Sequence, residues 1–397
     1  MDDDNRIARA LTAARRAEVA PFLAMDVLTD ARRLEGEGRH IVHAEIGEPG
    51  FPAPERAREA TAQALREGRI GYTQALGLPQ LRERIARHYR DTYGMEVPAE
   101  RIAVTTGSSG GFILAFLALF DAGQRIAIAS PGYPPYRTML KTLGLEAVEI
   151  GTGPQSRWAL SAEAIEQAHA EKPLDGVLLM SPANPSGTVV TPQALKGIAE
   201  CCRRLGIRLV SDEIYHGLTY DGVVAETALR FDNDAVVVNS FSKYWCMTGW
   251  RIGWLVVPES LSRTIERLSQ NLFISAPTLS QIAATAALDA REELEAVHGT
   301  YARNRALLLE ALPKAGLDSF LPADGAFYVY LDVRRYTQDS TAFARDLLEK
   351  GGVAATPGLD FDLERGHLFL RLSFAGPEED MAEAAHRITR FMERRDR

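Results

Sequence analysis

One lysine of this chain stands where its amine could be shielded from water and used as a nucleophile. Lys243 follows a strand-forming run, residues 235–238, and precedes an apolar run, residues 252–257. Burial lowers the pKa of a lysine because it disfavours the charged ammonium, and the neutral amine attacks a carbonyl carbon to form a Schiff base. Most lysines after a strand lie in solvated turns, so Lys243 alone is compatible with both interpretations.

The residues around Lys243 are typical of a phosphate site. Ser240 and Ser242 precede the lysine, and Arg251 follows it by eight positions. Hydroxyl groups and a guanidinium donate hydrogen bonds to phosphate oxygens, and those from the charged group are the stronger. A phosphate next to a Schiff-base lysine indicates pyridoxal 5′-phosphate as the cofactor.

A second candidate for phosphate binding is a glycine- and serine-rich turn, residues 107–111, between a strand-forming run and an apolar helix. Exposed N–H groups at a helix N-terminus bind phosphate, and small residues let the anion approach them. Together with the other motifs, this predicts a cradle formed by Ser108, Ser109 and Gly110. The turn matches neither a Walker A loop nor the G-x-G-x-x-G pattern, so nucleotide binding has little support.

An acidic residue at the end of another strand is the candidate partner of the cofactor ring. Asp212 lies 31 residues before Lys243 and ends an apolar run. A buried carboxylate is costly without a partner, and a protonated pyridine nitrogen would be that partner and make the ring an electron sink. Tyr215, three residues later, is placed to reach the phenolic oxygen of the ring. The alternative for this D-E-x-Y segment is a helix cap with acidic residues in the first turn.

An arginine in an apolar strand is the candidate site for a substrate carboxylate. Arg371 lies among the alternating apolar residues of the run 367–375. A guanidinium in such a strand needs an anionic partner, and its fork binds a carboxylate through two hydrogen bonds. The usual partner is an internal Asp or Glu, so this alternative also remains open.

The elements that must position these residues alternate between strands and helices. Runs able to form strands are residues 101–105, 125–129, 145–150, 176–180, 207–211, 235–239 and 252–257, most of them separated by helical stretches. This α/β pattern predicts a mostly parallel, seven-stranded sheet sandwiched by helices, with its ligands in the loops beyond the strand carboxyl ends. The 397 residues exceed what one core usually serves, so we expect two domains: a large one over 48–285 and a smaller α+β one over 1–47 and 286–397.

Taken in this order, the motifs resemble those of the class I/II aminotransferases, the fold-type I PLP enzymes of the aspartate aminotransferase superfamily. The resemblance extends over nearly the whole chain. It implies an enzyme that moves an amino group between an L-amino acid and a 2-oxo acid by a ping-pong mechanism through a Schiff base at Lys243. A PLP-dependent β-lyase, or C–S lyase, on the same fold is the alternative. A non-catalytic sensor of PLP or amino acids is a third, weaker one.

The resemblance also implies roles for individual residues. Gly47, in the G-E-P loop, lets the backbone approach the substrate carboxylate, and Tyr133, in SPGYPPY, stacks on the cofactor ring. Asn184, in SPANPSG, contacts both the phenolic oxygen and the substrate carboxylate, and Arg371 binds that carboxylate. Tyr72 reaches the phosphate of the neighbouring subunit, which implies a homodimer.

Two positions depart from the family pattern. Asp362 stands where the TPG-x-x-F-G loop usually has glycine, which puts the shape of that loop in question. Ser109 stands where relatives that prefer dicarboxylates often carry a cationic residue. The donor amino acid and the acceptor therefore stay open.

Composition restricts the class of protein. The chain is 46% hydrophobic and 25% charged, which is typical of soluble globular proteins, and its formal net charge of −8 argues against non-specific nucleic-acid binding. The three cysteines have no C-x-x-C spacing, no apolar run reaches membrane-spanning length, and His40 and His43 lack metal-ligand spacing. We expect a cytoplasmic protein without metal, membrane or nucleic-acid partners. An exposed helix is expected over residues 6–16.

Overall fold

A computed structural model describes residues 12–68 and 70–395. Its strands are β1 (Val42–His43), β2 (Ile102–Thr105), β3 (Arg125–Ser130), β4 (Glu146–Gly151), β5 (Gly176–Met180), β6 (Arg208–Asp212), β7 (Val236–Ser240), β8 (Gly253–Val256), β9 (Tyr328–Asp332), β10 (Val353–Ala354), β11 (Thr356–Pro357) and β12 (Phe369–Ser373). Its α-helices are α1 (Leu23–Gly36), α2 (Glu55–Arg66), α3 (Pro79–Tyr93), α4 (Gly107–Leu119), α5 (Pro135–Thr142), α6 (Ala162–Glu171), α7 (Pro192–Leu205), α8 (Glu259–Leu272), α9 (Thr278–Ala287), α10 (Arg291–Lys314), α11 (Ser340–Asp346) and α12 (Glu378–Arg395).

The main sheet has the strand order β2-β8-β7-β6-β5-β3-β4. Neighbouring strands from β4 to β7 pair in parallel, whereas β8 runs antiparallel to both β7 and β2. The connection between β7 and β8, residues 241–252, folds into turns at the carboxyl end of β7 instead of crossing the sheet. The prediction of a mostly parallel, seven-stranded sheet is confirmed, and all seven predicted runs contribute a strand.

The central strands read as continuous apolar runs because helices cover both faces of the sheet. In β7, Val236 and Val238 pack on one side with Phe112 and Phe116 of α4, whereas Val237 packs on the other side with the core that includes α7. Alternate residues of one strand thus bury apolar side chains in two separate cores. The helix predicted from Thr191 begins as expected, since the Thr191 side chain accepts a hydrogen bond from the N–H of Ala194 at 3.2 Å.

A second region contains the remaining strands. The order β11-β12-β9 forms an antiparallel sheet, and β1 pairs with β10, which brings residues 42–43 beside residues 353–354. Helices α10 and α12 pack together over this region. The domain boundaries at residues 47/48 and 285/286 stay a prediction.

The sequence predicts no membrane span, no metal site and no disulfide, and the described part of the chain bears on each of these. Among those residues, no helix combines the length and apolar character needed to cross a membrane. In the same ranges, no three His, Cys, Asp or Glu side chains come together as a metal site. All three cysteines are free and buried. The helix expected over residues 6–16 lies mostly outside the described residues, whose first helical element is a 3₁₀ turn at Arg15–Ala17.

Candidate active site

A cavity of about 530 Å³ lies at the carboxyl ends of β6 and β7. Its size and its mixture of apolar and polar walls are typical of sites for small molecules. It brings together eleven of the residues predicted for the site, namely Gly47, Ser108, Ser109, Tyr133, Asn184, Asp212, Tyr215, Ser242, Lys243, Arg251 and Arg371.

Three predicted residues do not line this cavity. Ser240 is fully buried behind Ser242: its Oγ lies 2.8 Å from the Ser242 Oγ and donates to the carbonyl of Ile252 at 3.0 Å. Gly110 is buried in the first turn of α4, where an added Cβ would meet the hydroxyl of Thr106. Tyr72 is 85% exposed. Within one chain, therefore, Ser240 and Gly110 support the cavity wall and Tyr72 faces outward.

Lys243 is held in the cavity by the turn that follows β7. Its side chain is partly buried, and its Nζ donates a hydrogen bond to the carbonyl of Gly47 at 2.5 Å. Burial lowers the pKa of Lys243 to about 8; Glu48 opposes this shift, and the cations of Arg371 and Arg251 add to it. Close to physiological pH a far larger share of this amine is therefore neutral than in a free lysine side chain, and the neutral form is the nucleophile.

Asp212 occupies the last position of β6 and is almost completely buried. Its Oδ1 accepts a hydrogen bond from the N–H of Ile214 at 3.0 Å, and its Oδ2 accepts one from the hydroxyl of Tyr136. Burial raises the pKa of Asp212 to about 6, and both hydrogen bonds counteract that shift. The carboxylate is ionised at neutral pH, yet it forms no ion pair with any described side chain.

The N-terminus of α4 lies against a guanidinium. Gly107 adopts a left-handed conformation with φ +69°, and an added Cβ there would lie 2.6 Å from Nη2 of Arg251. Only glycine therefore permits this close approach. Arg251 Nη1 also donates to the carbonyl of Thr248 at 3.0 Å. With Ser108 and Ser109 beside it, this end of the cavity collects hydrogen-bond donors suited to a phosphate.

Arg371 is 2% exposed and lies in the middle strand of the small antiparallel sheet. Its Nη1 donates to Oδ1 of Asn184 at 2.9 Å, and its Nη2 donates to the carbonyl of Glu45 and to the hydroxyl of Thr356. Its Nε has no partner among the described residues. Of the Asp and Glu side chains in those ranges, none pairs with it. A buried cation left without an anion is suited to bind an anionic ligand.

Two tyrosines at this site were missed in the sequence. Tyr136 donates to Asp212 across 76 residues of sequence. Tyr328 lies with its hydroxyl 2.6 Å from that of Tyr215, and its ring centroid is 4.4 Å from the Arg371 guanidinium. For Tyr328 the alternation of β9 was a partial signal. In β9, Tyr328 and Tyr330 lie on the same face, and the pairing of Tyr330 with Arg371 puts that face on the side of the guanidinium. For Tyr136 only its place in the same turn as Tyr133 pointed to the site.

The departure at Asp362 has a local explanation. Asp362 is buried, and its Oδ1 accepts hydrogen bonds from the N–H groups of Glu364 and Arg365 at 3.0 and 2.9 Å. Its Oδ2 accepts from Nε of Arg365, which also donates to the carbonyls of Thr152 and Ser130. The aspartate therefore closes its own turn and attaches the loop to the end of β3.

Residues 40–388 match the family model "Aminotransferase class I and II". A valine–pyruvate aminotransferase of Mycobacterium tuberculosis is 50% identical, with 94% of this chain and 97% of that protein covered. An aspartate/prephenate aminotransferase of Thermus thermophilus is 33% identical, with 94% and 97% covered. The crystal structure of an aminotransferase from Mycobacterium tuberculosis superposes with a TM-score of 0.94 at 48% identity, covering 96% of this chain and 99% of that one.

A mostly parallel sheet that ends in a lysine-bearing cavity is the architecture of fold-type I aminotransferases, the class to which this solved structure belongs. The chain belongs to the class I and II aminotransferases. It is an aminotransferase, and the comparisons do not favour the β-lyase alternative. Members of this family use pyridoxal 5′-phosphate.

The residues of the cavity fit that cofactor. The donors around Arg251 suit its phosphate, and the buried carboxylate of Asp212 suits a protonated ring nitrogen. The amine of Lys243, with its lowered pKa, suits its aldehyde. Arg251, Asp212 and Lys243 thus each have a complement in the cofactor.

Proposed function

We propose that this chain holds pyridoxal 5′-phosphate at Lys243 and exchanges the amino group of an L-amino acid with a 2-oxo acid in two half-reactions, as a ping-pong mechanism requires. One observation carries the proposal: an amine with a lowered pKa shares a cavity with a buried carboxylate that has no cation and a buried guanidinium that has no anion. These three groups are Lys243, Asp212 and Arg371.

The cofactor, when bound, supplies an aldehyde that bonds covalently to an amine and a ring that accepts the electron pair released at the substrate Cα. The Asp212 carboxylate holds the proton on the ring nitrogen because it is ionised and buried. Tyr133 and Tyr215 both line the cavity. Tyr133 would form the stacking surface for the ring, and the Tyr215 hydroxyl would donate to its phenolic oxygen. Around the phosphate, the donors are Ser108, Ser109, Ser242 and Arg251.

Arg371 orients the substrate by binding its α-carboxylate. The side-chain oxygen of Asn184 accepts a hydrogen bond from Arg371 and so fixes the direction of the guanidinium. Gly47 has no Cβ, which leaves room for the hydroxyl of Tyr328. A carboxylate held there would present the Cα–H bond to Lys243, whose Nζ would take the proton from Cα and deliver it to C4′ of the cofactor. In the second half-reaction the same amine would move a proton from C4′ back to Cα.

The amino-transfer reaction separates this proposal from β-elimination. The purified, cofactor-loaded protein is given an amino acid whose nitrogen is isotopically labelled, together with a 2-oxo acid. We expect the label to appear in the new amino acid while free ammonia stays at background. Release of labelled ammonia in the absence of any 2-oxo acid would contradict transamination and favour the lyase.

The lowered pKa of Lys243 predicts how covalent attachment of the cofactor depends on pH. Only the neutral amine reacts, so attachment to the cofactor-free protein rises with pH and levels off above about 8, whereas a free lysine side chain continues to gain neutral amine up to 10.5. Both rates are measured by stopped-flow absorbance, and the rate at Lys243 is divided by the rate of the free lysine side chain. We expect this ratio to be constant below about pH 8 and to fall about tenfold per pH unit between about 8 and 10.5. A ratio that stays constant up to 10.5 would show that the Lys243 amine is not perturbed.

A homodimer is also part of the proposal. Tyr72 is the most exposed of the large apolar side chains among the described residues, which supports a role outside its own subunit. Its hydroxyl would donate to the phosphate in the partner's cavity, adding one charge-assisted hydrogen bond.

Hybrid dimers test this exchange of residues. Subunits carrying Lys243→Ala are combined with subunits carrying Tyr72→Ala. If Tyr72 serves the partner, each hybrid has one complete site, and we expect about half of the wild-type activity per dimer. If Tyr72 serves its own subunit, the hybrid has no complete site, and its activity would not exceed that of the Tyr72→Ala homodimer.

The names of the relatives leave the donor open. The valine–pyruvate and aspartate/prephenate enzymes are named for an apolar and an acidic amino acid, respectively. The choice between such side chains must therefore come from the walls of this cavity.

A further inference from the structure

The position of Ile46 defines where a substrate side chain would lie. The carbonyl of Glu45, on one side of it, accepts a hydrogen bond from the guanidinium of Arg371. The carbonyl of Gly47, on the other side, accepts one from Nζ of Lys243. Ile46 lines the cavity between these two groups. A substrate whose carboxylate is at Arg371 and whose Cα is at Lys243 therefore has its side chain beside Ile46.

The first turn of α1 continues this wall. Phe22, Ala24 and Met25 line the same cavity. The ring of Phe22 packs edge-on against that of Tyr133, with ring centroids 6.4 Å apart and an interplanar angle of 84°. The wall thus extends from the carboxylate anchor to the ring-stacking tyrosine, and all the side chains that α1 contributes to it are apolar.

Asp360 holds this turn in place. Its Oδ1 accepts a hydrogen bond from the N–H of Leu23 at 3.0 Å and its Oδ2 accepts one from the N–H of Ala24 at 3.1 Å, so its carboxylate caps the N-terminus of α1. Asp360 is only 4% exposed. The next residue, Phe361, has its ring centroid 4.7 Å from the Arg371 guanidinium. One loop therefore fixes both the carboxylate anchor and the helix that covers it.

The charges of the wall disfavour an acidic side chain. Glu48 is one of the residues that line the cavity, and its Oε1 accepts a hydrogen bond from the hydroxyl of Thr248 at 2.5 Å. Of the cavity's described cations, each has a role in the proposed function: Lys243 as the amine, Arg251 at the phosphate and Arg371 at the α-carboxylate. Of the residues that one subunit supplies, a second carboxylate on the substrate would face apolar carbon and a like charge, and burial of such a group without a partner is costly.

We propose that Ile46 and the first turn of α1 form a side-chain subsite for uncharged, apolar amino acids, and that Asp360 is the positioning residue that holds it. This proposal rests on the proposed function, because it assumes that the substrate carboxylate binds Arg371.

Single-turnover measurements on the holoenzyme test the substrate class. The rate at which each amino acid changes the absorbance of the bound cofactor gives an apparent specificity. We expect L-valine to react at least about 30-fold faster than L-aspartate at equal, low concentration. The same order is expected in calorimetric binding of two unreactive carboxylates, with 3-methylbutanoate bound more tightly than succinate.

A charge placed on the wall should change the preference. In Met25→Arg we expect the valine-to-aspartate ratio to fall about tenfold or more, because the guanidinium pairs with the second carboxylate. Thr29→Arg is the matched control, since it adds the same charge to an exposed position one turn further along α1 and should leave the ratio unchanged.

Removal of the cap tests the positioning role. In Asp360→Ala we expect KM for valine to rise about tenfold with little change in kcat, and we expect faster proteolysis within residues 12–36. Asp360→Asn keeps one acceptor oxygen and should lie between the wild type and Asp360→Ala. A loss of kcat with an unchanged valine-to-aspartate ratio would indicate a structural role only and would overturn the positioning role.

The outcomes separate this inference from the proposed function. If no amino acid changes the cofactor absorbance, the proposed function fails, and the subsite fails with it. If aspartate reacts as fast as valine, or if Met25→Arg leaves the ratio unchanged, only the apolar subsite is overturned.

Discussion

Lys243→Ala is expected to lose activity by a factor on the order of 10⁴ or more. The substitution removes both the amine to which the cofactor bonds and the group that moves the proton at Cα. No other lysine lines the cavity among its described residues, so the chain offers no substitute there. Steady-state transamination and single-turnover absorbance of the loaded protein both measure this loss.

The matched control is Lys196→Ala. Lys196 is an exposed lysine of α7 that pairs only with Glu200, 3.8 Å away. Its substitution should leave turnover within about twofold of the wild type, because exposed ion pairs of this kind contribute little. If Lys243→Ala kept turnover comparable to that of Lys196→Ala, the assignment of Lys243 as the reacting amine would be wrong.

Asp212→Asn has the second-largest expected effect, a loss of kcat on the order of 10³-fold. Asparagine has nearly the shape of aspartate but no charge, so it cannot hold the proton on the ring nitrogen. Without that charge, the site would no longer favour the protonated ring, on which acceptance of the electron pair from Cα depends. The N–H of Ile214 still has the amide oxygen as an acceptor in Asp212→Asn, so one of the two hydrogen bonds to this side chain can be kept. The kcat for the preferred amino acid measures the effect.

A cofactor analogue with a methylated ring nitrogen checks the cause. It carries a fixed positive charge, so it should restore part of the rate in Asp212→Asn and little in the wild type. Glu213→Gln is the control, because the neighbouring carboxylate is equally buried but accepts from Ser211, Thr227 and Ala228. If the analogue does not raise the kcat of Asp212→Asn, or if Glu213→Gln loses as much kcat as Asp212→Asn, the charge of Asp212 is not the cause.

The sequence predicts the main sheet well because its signals are local. Each strand is an apolar run bounded by turn residues, and Gly176–Met180 agrees with its predicted run residue for residue. The positions of Asp212 and Lys243 follow from the same logic, since loops after parallel strands meet at one edge of the sheet. Arg371 was marked by its contrast with the apolar strand around it.

The remaining parts of the site depend on contacts between distant segments. Asp360 caps a helix 336 residues earlier in the chain, and no local pattern predicts that a loop acid meets that helix. The hydroxyl of Ser240 turns back to Ser242 and Ile252 instead of facing the cavity, because Ser240 still belongs to β7 and is enclosed by the sheet. Spacing in the sequence does not distinguish such a supporting residue from a contacting one.

Reduction of the loaded protein with borohydride tests the covalent bond to Lys243 directly. The reagent converts a carbon–nitrogen double bond into a stable single bond, which survives proteolysis and can be located by mass spectrometry. We expect the mass of the reduced cofactor on one peptide, the one that contains Lys243, and none on the same peptide of Lys243→Ala. A label on another lysine, or no label in freshly loaded protein, would contradict the proposed site.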